Sequence, residues 1–136
     1  MNGITRQALR FGLVGLANTA IGLLAIYAAL YFISADPAIA NAIGYGVGMV
    51  VSFILNRTWT FRDSRSITNV LPRYILIAAI SYLINLVVVL VGTYHFGVGP
   101  YLIQFFGIGV YTLSMFLGCR WFVFQTSRQS DIHFKN

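Results

Sequence analysis

Two short stretches hold the residues best suited to chemistry. Asn56-Arg57-Thr58-Trp59-Thr60-Phe61 closes one apolar run, and Cys119-Arg120-Trp121-Phe122-Val123-Phe124 closes another in the same manner. Each sets a guanidinium beside aromatic rings at the edge of an apolar segment. Arg57 and Arg120 are 63 residues apart, and the same spacing lays Arg10 on Arg73. A guanidinium fork binds phosphate through two parallel hydrogen bonds, which makes these four arginines candidates for a phosphate cradle. Arg10 and Arg73 stand where helices are expected to start, and free N–H groups at a helix start favour an anion. Arg57 and Arg120 stand at expected helix ends, where a cation suits the helix dipole. The competing account is anchoring, with each arginine snorkelling to anionic lipid.

Around these arginines Trp59, Phe61, Phe122 and Phe124 alternate with Thr58, Thr60, Trp121 and Val123. The alternation either seats rings in the membrane interface or builds an apolar wall for a prenyl chain or a sugar face. Four amide side chains lie inside the apolar runs: Asn18, Asn41, Asn85 and Gln104. Asn41 and Gln104 are equivalent at the 63-residue spacing. Such residues either hydrogen-bond between helices or line a hydrophilic crevice that passes a sugar headgroup.

Other chemistries lack their residues. The chain has no Glu, and Asp36, Asp63 and Asp131 fall in expected loops or the tail. A titratable carboxylate within the membrane, common in proton-coupled carriers, is therefore not expected. His95 lies near one expected boundary and His133 in the tail, away from any relay or metal-binding set. With no carboxylate pair, no His/Cys cluster and no nucleophile beside a base, the chain reads as a non-enzyme without metal or cofactor. The single Cys119 cannot form an internal disulfide and is expected to pack at a helix end.

The elements that position these residues follow from composition. Of 136 residues, 58 % are hydrophobic and 9 % charged, against roughly a quarter charged in soluble domains. The mean hydropathy is +0.78, so a bilayer is the fitting solvent. Residues 11–33 and 38–55 are uncharged, as is the long run 74–119, which Gly97-Val98-Gly99-Pro100 divides. A crossing takes about 17 to 25 residues, which predicts four transmembrane helices near 11–33, 38–55, 74–94 and 101–118. The first exceeds the usual apolar core of a signal peptide and reads as an uncleaved anchor. Gly44, Gly48 and Ser52 recur every four residues on one face of the second helix, suited to close packing within the subunit or to a dimer face.

The net charge is +6, and all nine basic residues fall before the first helix, between the second and third, or after the fourth. The positive-inside rule then predicts cytoplasmic termini and a cytoplasmic central loop. These charges flank membrane segments and form no soluble basic module, which argues against nucleic acid as a partner. The 63-residue spacing holds without a gap: Tyr31 lies on Tyr94, Pro37 on Pro100, Gly44 on Gly107, Gly46 on Gly109 and Phe53 on Phe116. A duplication, repeat 1 about 10–65 and repeat 2 about 73–128, explains this best. Both repeats would start and end on one side of the membrane, which predicts two parallel-related helical hairpins about an axis along the membrane normal, with Arg57 brought towards Arg120.

Arg10-Phe11-Gly12-Leu13-Val14-Gly15 followed by Asn18-Thr19, then Asn56-Arg57-Thr58-Trp59-Thr60-Phe61, Arg73-Tyr74 and Arg120-Trp121-Phe122-Val123-Phe124 together resemble the GtrA-like family. The resemblance covers residues 10–124, and Asn-Arg-x-Trp-x-Phe is its most specific part. The second copy departs by having Cys119 in place of the Asn. The resemblance implies a multi-pass protein of the bacterial cytoplasmic (inner) membrane that works with polyprenyl-phosphate-linked sugars beside a glycosyltransferase. It implies translocation of such a lipid for cell-surface polysaccharide synthesis or modification; the alternative reading is a membrane scaffold that recruits or positions a glycosyltransferase without transporting lipid. A small drug exporter fits less well, given the missing carboxylate and the one-sided charge. A compatible site has phosphate at Arg57, Arg120, Arg10 and Arg73. The prenyl chain would lie against Trp59, Phe61, Trp121, Phe122 and Phe124 beside Asn56, with the sugar near Asn18, Asn41, Asn85 and Gln104. Four helices enclose little volume, so membrane lipid and a second copy of the chain are expected neighbours.

Overall fold

A computed structural model describes residues 2–34 and 36–124 of the chain. Among them all regular structure is helical: α1 (Gly3–Phe32), α2 (Pro37–Leu55), α3 (Ile67–Tyr94) and α4 (Pro100–Gly118). α2 and α4 each continue into a five-residue π-turn, Asn56–Thr60 and Cys119–Val123. Four helices are long and apolar enough to cross a bilayer, as expected from hydropathy. Arg128, Asp131, His133, Lys135 and the end of the second expected repeat lie outside the described residues.

The chain divides into two units, Met1–Ser64 and Arg65–Asn136. In the first, α1 packs on α2; in the second, α3 packs on α4. Each is a helical hairpin with a short turn at its tip. In the first, the Asp36 carboxylate caps α2 by accepting from the Ala38 N–H at 2.9 Å, and Pro37 takes the first helical position, where its missing donor costs nothing.

Two helices start earlier than hydropathy suggests. α1 begins at Gly3 and α3 at Ile67, with Pro72 inside it. Residues 67–71, which fall in the expected central loop, thus supply the first turn of α3. The reason is geometric: at 1.5 Å per residue, Arg10 to Phe32 spans about 33 Å, close to the roughly 30 Å of a hydrocarbon core. Hydropathy marks the edge of the lipid, and the helices continue past it. Arg10 and Arg73 are therefore interior residues of α1 and α3, and the anion-binding N–H groups of a helix start lie about two turns away from them.

The hairpins close at glycines. A methyl group on Gly44 would lie 2.8 Å from the Gly22 carbonyl oxygen, and one on Gly48 would lie 2.6 Å from Asn18 Oδ1. In lipid, where helices gain little by hiding apolar surface from one another, such close backbone approach supplies dispersion and weak Cα–H···O contacts. The Gly44/Gly48 face is thus consumed inside the hairpin, the first of its two expected uses, and the dimer-face reading is withdrawn. In the second hairpin Ile103 fills the space beside Gly92. The equivalent pair in the first is Ala29 and Ala40, both buried, so one large and one absent side chain replace two small ones. Gly44→Ala should lower thermal stability in detergent by about 1–3 kcal/mol through overpacking against backbone. Gly46→Ala, with nothing near its would-be methyl, should change the melting temperature little in the same measurement.

Candidate functional site

The two π-turns occupy equivalent positions 63 residues apart, and each is closed by the wide hydrogen bond that defines it. The Phe61 N–H donates to the Asn56 carbonyl at 2.9 Å, and the Phe124 N–H to the Cys119 carbonyl at 2.8 Å. The first turn then reverses through Arg62, a non-glycine residue at φ +52°, and the Asp63 N–H returns to the Arg57 carbonyl at 2.8 Å. A helix that ends this way still leaves carbonyl oxygens without helical partners.

One arginine from the facing helix meets that need in each hairpin. Arg10 Nη1 donates to the Trp59 carbonyl at 2.9 Å, and its guanidinium lies 5.2 Å from the centroid of the Trp59 ring. Arg73 Nη1 donates to the Phe122 carbonyl at 3.4 Å and lies 5.4 Å from that ring. Arg10 with Trp59 and Arg73 with Phe122 are the same pair in the 63-residue register. Below each clamp a ring pair recurs too: Phe11 with Phe61 at 6.3 Å and Tyr74 with Phe124 at 6.2 Å. Cation–π contacts of this kind contribute roughly 0.5–2 kcal/mol, more where water is excluded.

The aromatic residues therefore divide differently from an alternating pattern. Trp59, Trp121 and Phe122 are exposed, whereas Phe61 and Phe124 are 1 % and 0 % exposed. Phe61 and Phe124 are core residues and are removed from the expected lipid- or sugar-facing set. Arg57 and Arg120 sit second in their π-turns and are half-buried, and each makes interactions of its own.

Asn56 is also internal, 1 % exposed. Its Nδ2 donates to Ser52 Oγ at 3.2 Å, and Thr60 Oγ1 donates to its Oδ1 at 3.0 Å. This chain of three, spaced four residues apart, stitches α2 to its π-turn, so the Asn56 amide is internal and bonded within the hairpin, where a lipid- or sugar-facing position was expected. The second hairpin has Met115, Cys119 and Val123 at the equivalent places, all buried. A satisfied polar set in one copy stands where an apolar set stands in the other, which explains why Cys119 replaces the Asn. It also places Cys119 in packing, as expected. Sequence reading missed Ser52 and Thr60 as partners of Asn56. The signal was present in their spacing and in the joint replacement of all three.

The intramembrane amides split up as well. Asn18 Oδ1 rests against Gly48, and Asn85 Oδ1 against Gly107. Asn85 is equivalent to Gly22 and Gly107 to Gly44, so the second contact is the first moved by one helical turn along both antiparallel helices. Asn18 Oδ1 is buried without a hydrogen-bond partner. Asn18, Thr19 and Asn41 also line a partly open cleft of about 300 Å³ in the first hairpin, with Gly22, Gly44, Gly48 and Tyr45 along its length. That volume is at the small end of ligand clefts, which run from about 300 to 1,000 Å³. Gln104 is exposed on α4, and Asn85 is half-buried between α3 and α4.

The arrangement can hold an anion at the arginine-bearing end of a hairpin and a small polar group in the cleft further along α1 and α2. Among the described residues, three cations lie outside the expected site: Arg6, Arg62 and Arg65. Arg65 Nη2 donates to the Val123 carbonyl.

A family model described as GtrA/DPMS, transmembrane domain, matches residues 10–124. No curated protein and no solved structure matches the chain.

The equivalence of the two buried triads gives a measurable expectation. Thr60→Val alone strands the Asn56 oxygen and should lower stability by about 1–3 kcal/mol. Replacing Ser52, Asn56 and Thr60 together by Met, Cys and Val should cost less than the single change, a non-additivity readable by thermal unfolding in detergent.

Proposed function

The chain belongs to the GtrA/DPMS transmembrane-domain family, and on that premise we propose that it translocates a polyprenyl-phosphate-linked sugar across the bilayer. The family match over residues 10–124 carries this reading, since membership suggests involvement in handling such lipids. The geometry is compatible with it. Guanidinium groups at Arg10, Arg57, Arg73 and Arg120 offer charge-assisted hydrogen bonds to the phosphate. Exposed Trp59, Trp121 and Phe122 give the prenyl chain an apolar surface, and the Asn18/Asn41 cleft offers hydrogen-bonding groups to a sugar. The work is binding and passage down the lipid's own gradient, with a glycosyltransferase of the same pathway as the supplier or consumer of the lipid.

One observation favours the second reading, a membrane scaffold that positions a glycosyltransferase. Asn18 and Asn85 are pressed onto glycines of their own hairpins, the placement of residues that join helices. The two readings separate in liposomes. With a fluorescent short-chain phosphate-linked sugar lipid, the purified protein should speed headgroup translocation over empty vesicles, and Arg57→Ala with Arg120→Ala should return it to the empty-vesicle rate. No acceleration by wild type, with cell-surface glycosylation still dependent on the protein, would leave the scaffold.

A further inference from the structure

The two arginine-bearing ends are built alike but spend their cations differently. In the second hairpin Arg73 and Arg65 both donate to π-turn carbonyls, those of Phe122 and Val123. In the first, Arg10 takes that role at the Trp59 carbonyl. Arg6 lies four residues before Arg10 on α1, one turn away on the same face, and is exposed. Arg62 follows the π-turn and is exposed, with its backbone in the left-handed region at φ +52°. A β-carbon disfavours that conformation, and residues kept there at a cost cluster at binding sites. Neither Arg6 nor Arg62 has a side-chain hydrogen-bond partner among the described residues, and the charges of both act on Arg10. Asp63, the nearest acid in sequence, is buried and has its own interactions. Arg6 and Arg62, both without a side-chain hydrogen bond among the described residues, thus each repel the Arg10 guanidinium, which the Trp59 carbonyl holds in place.

We propose that Arg6, Arg10 and Arg62 form one anion site on the first hairpin, suited to a phosphate group of charge near −2. Trp59 is its positioning residue: by accepting a hydrogen bond at its carbonyl and a guanidinium on its ring, it holds Arg10 in one orientation while the other N–H groups of Arg10 stay available. The second hairpin lacks the set, because the residues equivalent to Arg6 and Arg62 are Asn69 and Gln125. A phosphomonoester with two charges gains more from three cations than a singly charged diester does, and both gain charge-assisted hydrogen bonds. The lipid as source of that phosphate rests on the functional reading above, and there the fitting form is the sugar-free polyprenyl phosphate, a monoester, since the sugar-linked lipid is a singly charged diester; the site itself does not rest on that reading.

Trp59 provides the readout. In a Trp121→Phe background it is the single tryptophan, and occupation of the site changes the charge stacked on its ring. The protein in phosphatidylcholine nanodiscs is titrated with dioleoyl phosphatidic acid, with phosphatidylglycerol, and separately with inorganic phosphate in the buffer. Phosphatidic acid should give a saturable fluorescence change at lower concentration than phosphatidylglycerol. Arg6→Gln with Arg62→Gln should weaken it about tenfold or more, the size expected for losing hydrogen bonds to a charged group. A charge-matched control, Arg128→Gln with Lys135→Gln, should stay near wild type. Equal weakening by the two double variants, or equal response to the two lipids, would reduce the cluster to general attraction for an anionic surface and overturn the proposal. Saturation by inorganic phosphate at the concentration that works for the lipid keeps the site and assigns it to a free phosphate. The binding result stands apart from translocation: a site that binds in a protein that fails to move lipid would sink the transport reading alone.

Discussion

In each hairpin a guanidinium from the first helix closes the end of a second helix whose last carbonyls would otherwise face a poorly hydrated boundary. Backbone groups at membrane depth must find partners within the protein, and a π-turn alone does not supply them. Arg10 reaches the Trp59 carbonyl and Arg73 the Phe122 carbonyl, each also lying over the side chain of the residue whose carbonyl it takes. The contact ties the first helix of a hairpin to the end of the second at the opposite extremity from the connecting turn. Glycines then set the separation between: Gly44 against the Gly22 carbonyl in one hairpin, Gly107 against Asn85 and Val89 in the other. An arginine at the boundary, a wide final turn and a glycine seam are thus one solution used twice.

The two uses are not copies in detail. Ser52, Asn56 and Thr60 form a hydrogen-bonded chain where Met115, Cys119 and Val123 form an apolar one. Either set satisfies a buried site, whereas a mixture leaves a polar atom stranded, which is why the three positions differ together. The amide-on-glycine contact survives in both hairpins but sits one turn apart. These differences give the first hairpin more polar character, along its seam and at its arginine-bearing end.

Much of this was legible in the sequence because lipid imposes a length. Four helices followed from apolar runs near the span of a bilayer, and the arginine-aromatic motifs stood out by their recurrence. The helix starts were not legible, because hydropathy reports where lipid ends and the turns before Arg10 and Arg73 mix polar with apolar residues and form no continuous apolar run. Read as alternation, Phe61 and Phe124 looked like partners of Trp59 and Phe122 on one face. A π-turn rotates successive residues by less than a normal helix does, which sends Phe61 and Phe124 into the core and leaves the tryptophans outside. No run of residue types announces such a turn.

The arginine clamp has a consequence for how the chain is made. Its partners are 49 residues apart in both hairpins, and neither clamp borrows a residue from the other half. A chain that leaves the ribosome amino end first therefore holds everything the first clamp requires before α3 has been translated. The first hairpin can lock its helix end at that stage, so that the second is synthesised after a finished one and repeats the same closure once Phe122 emerges.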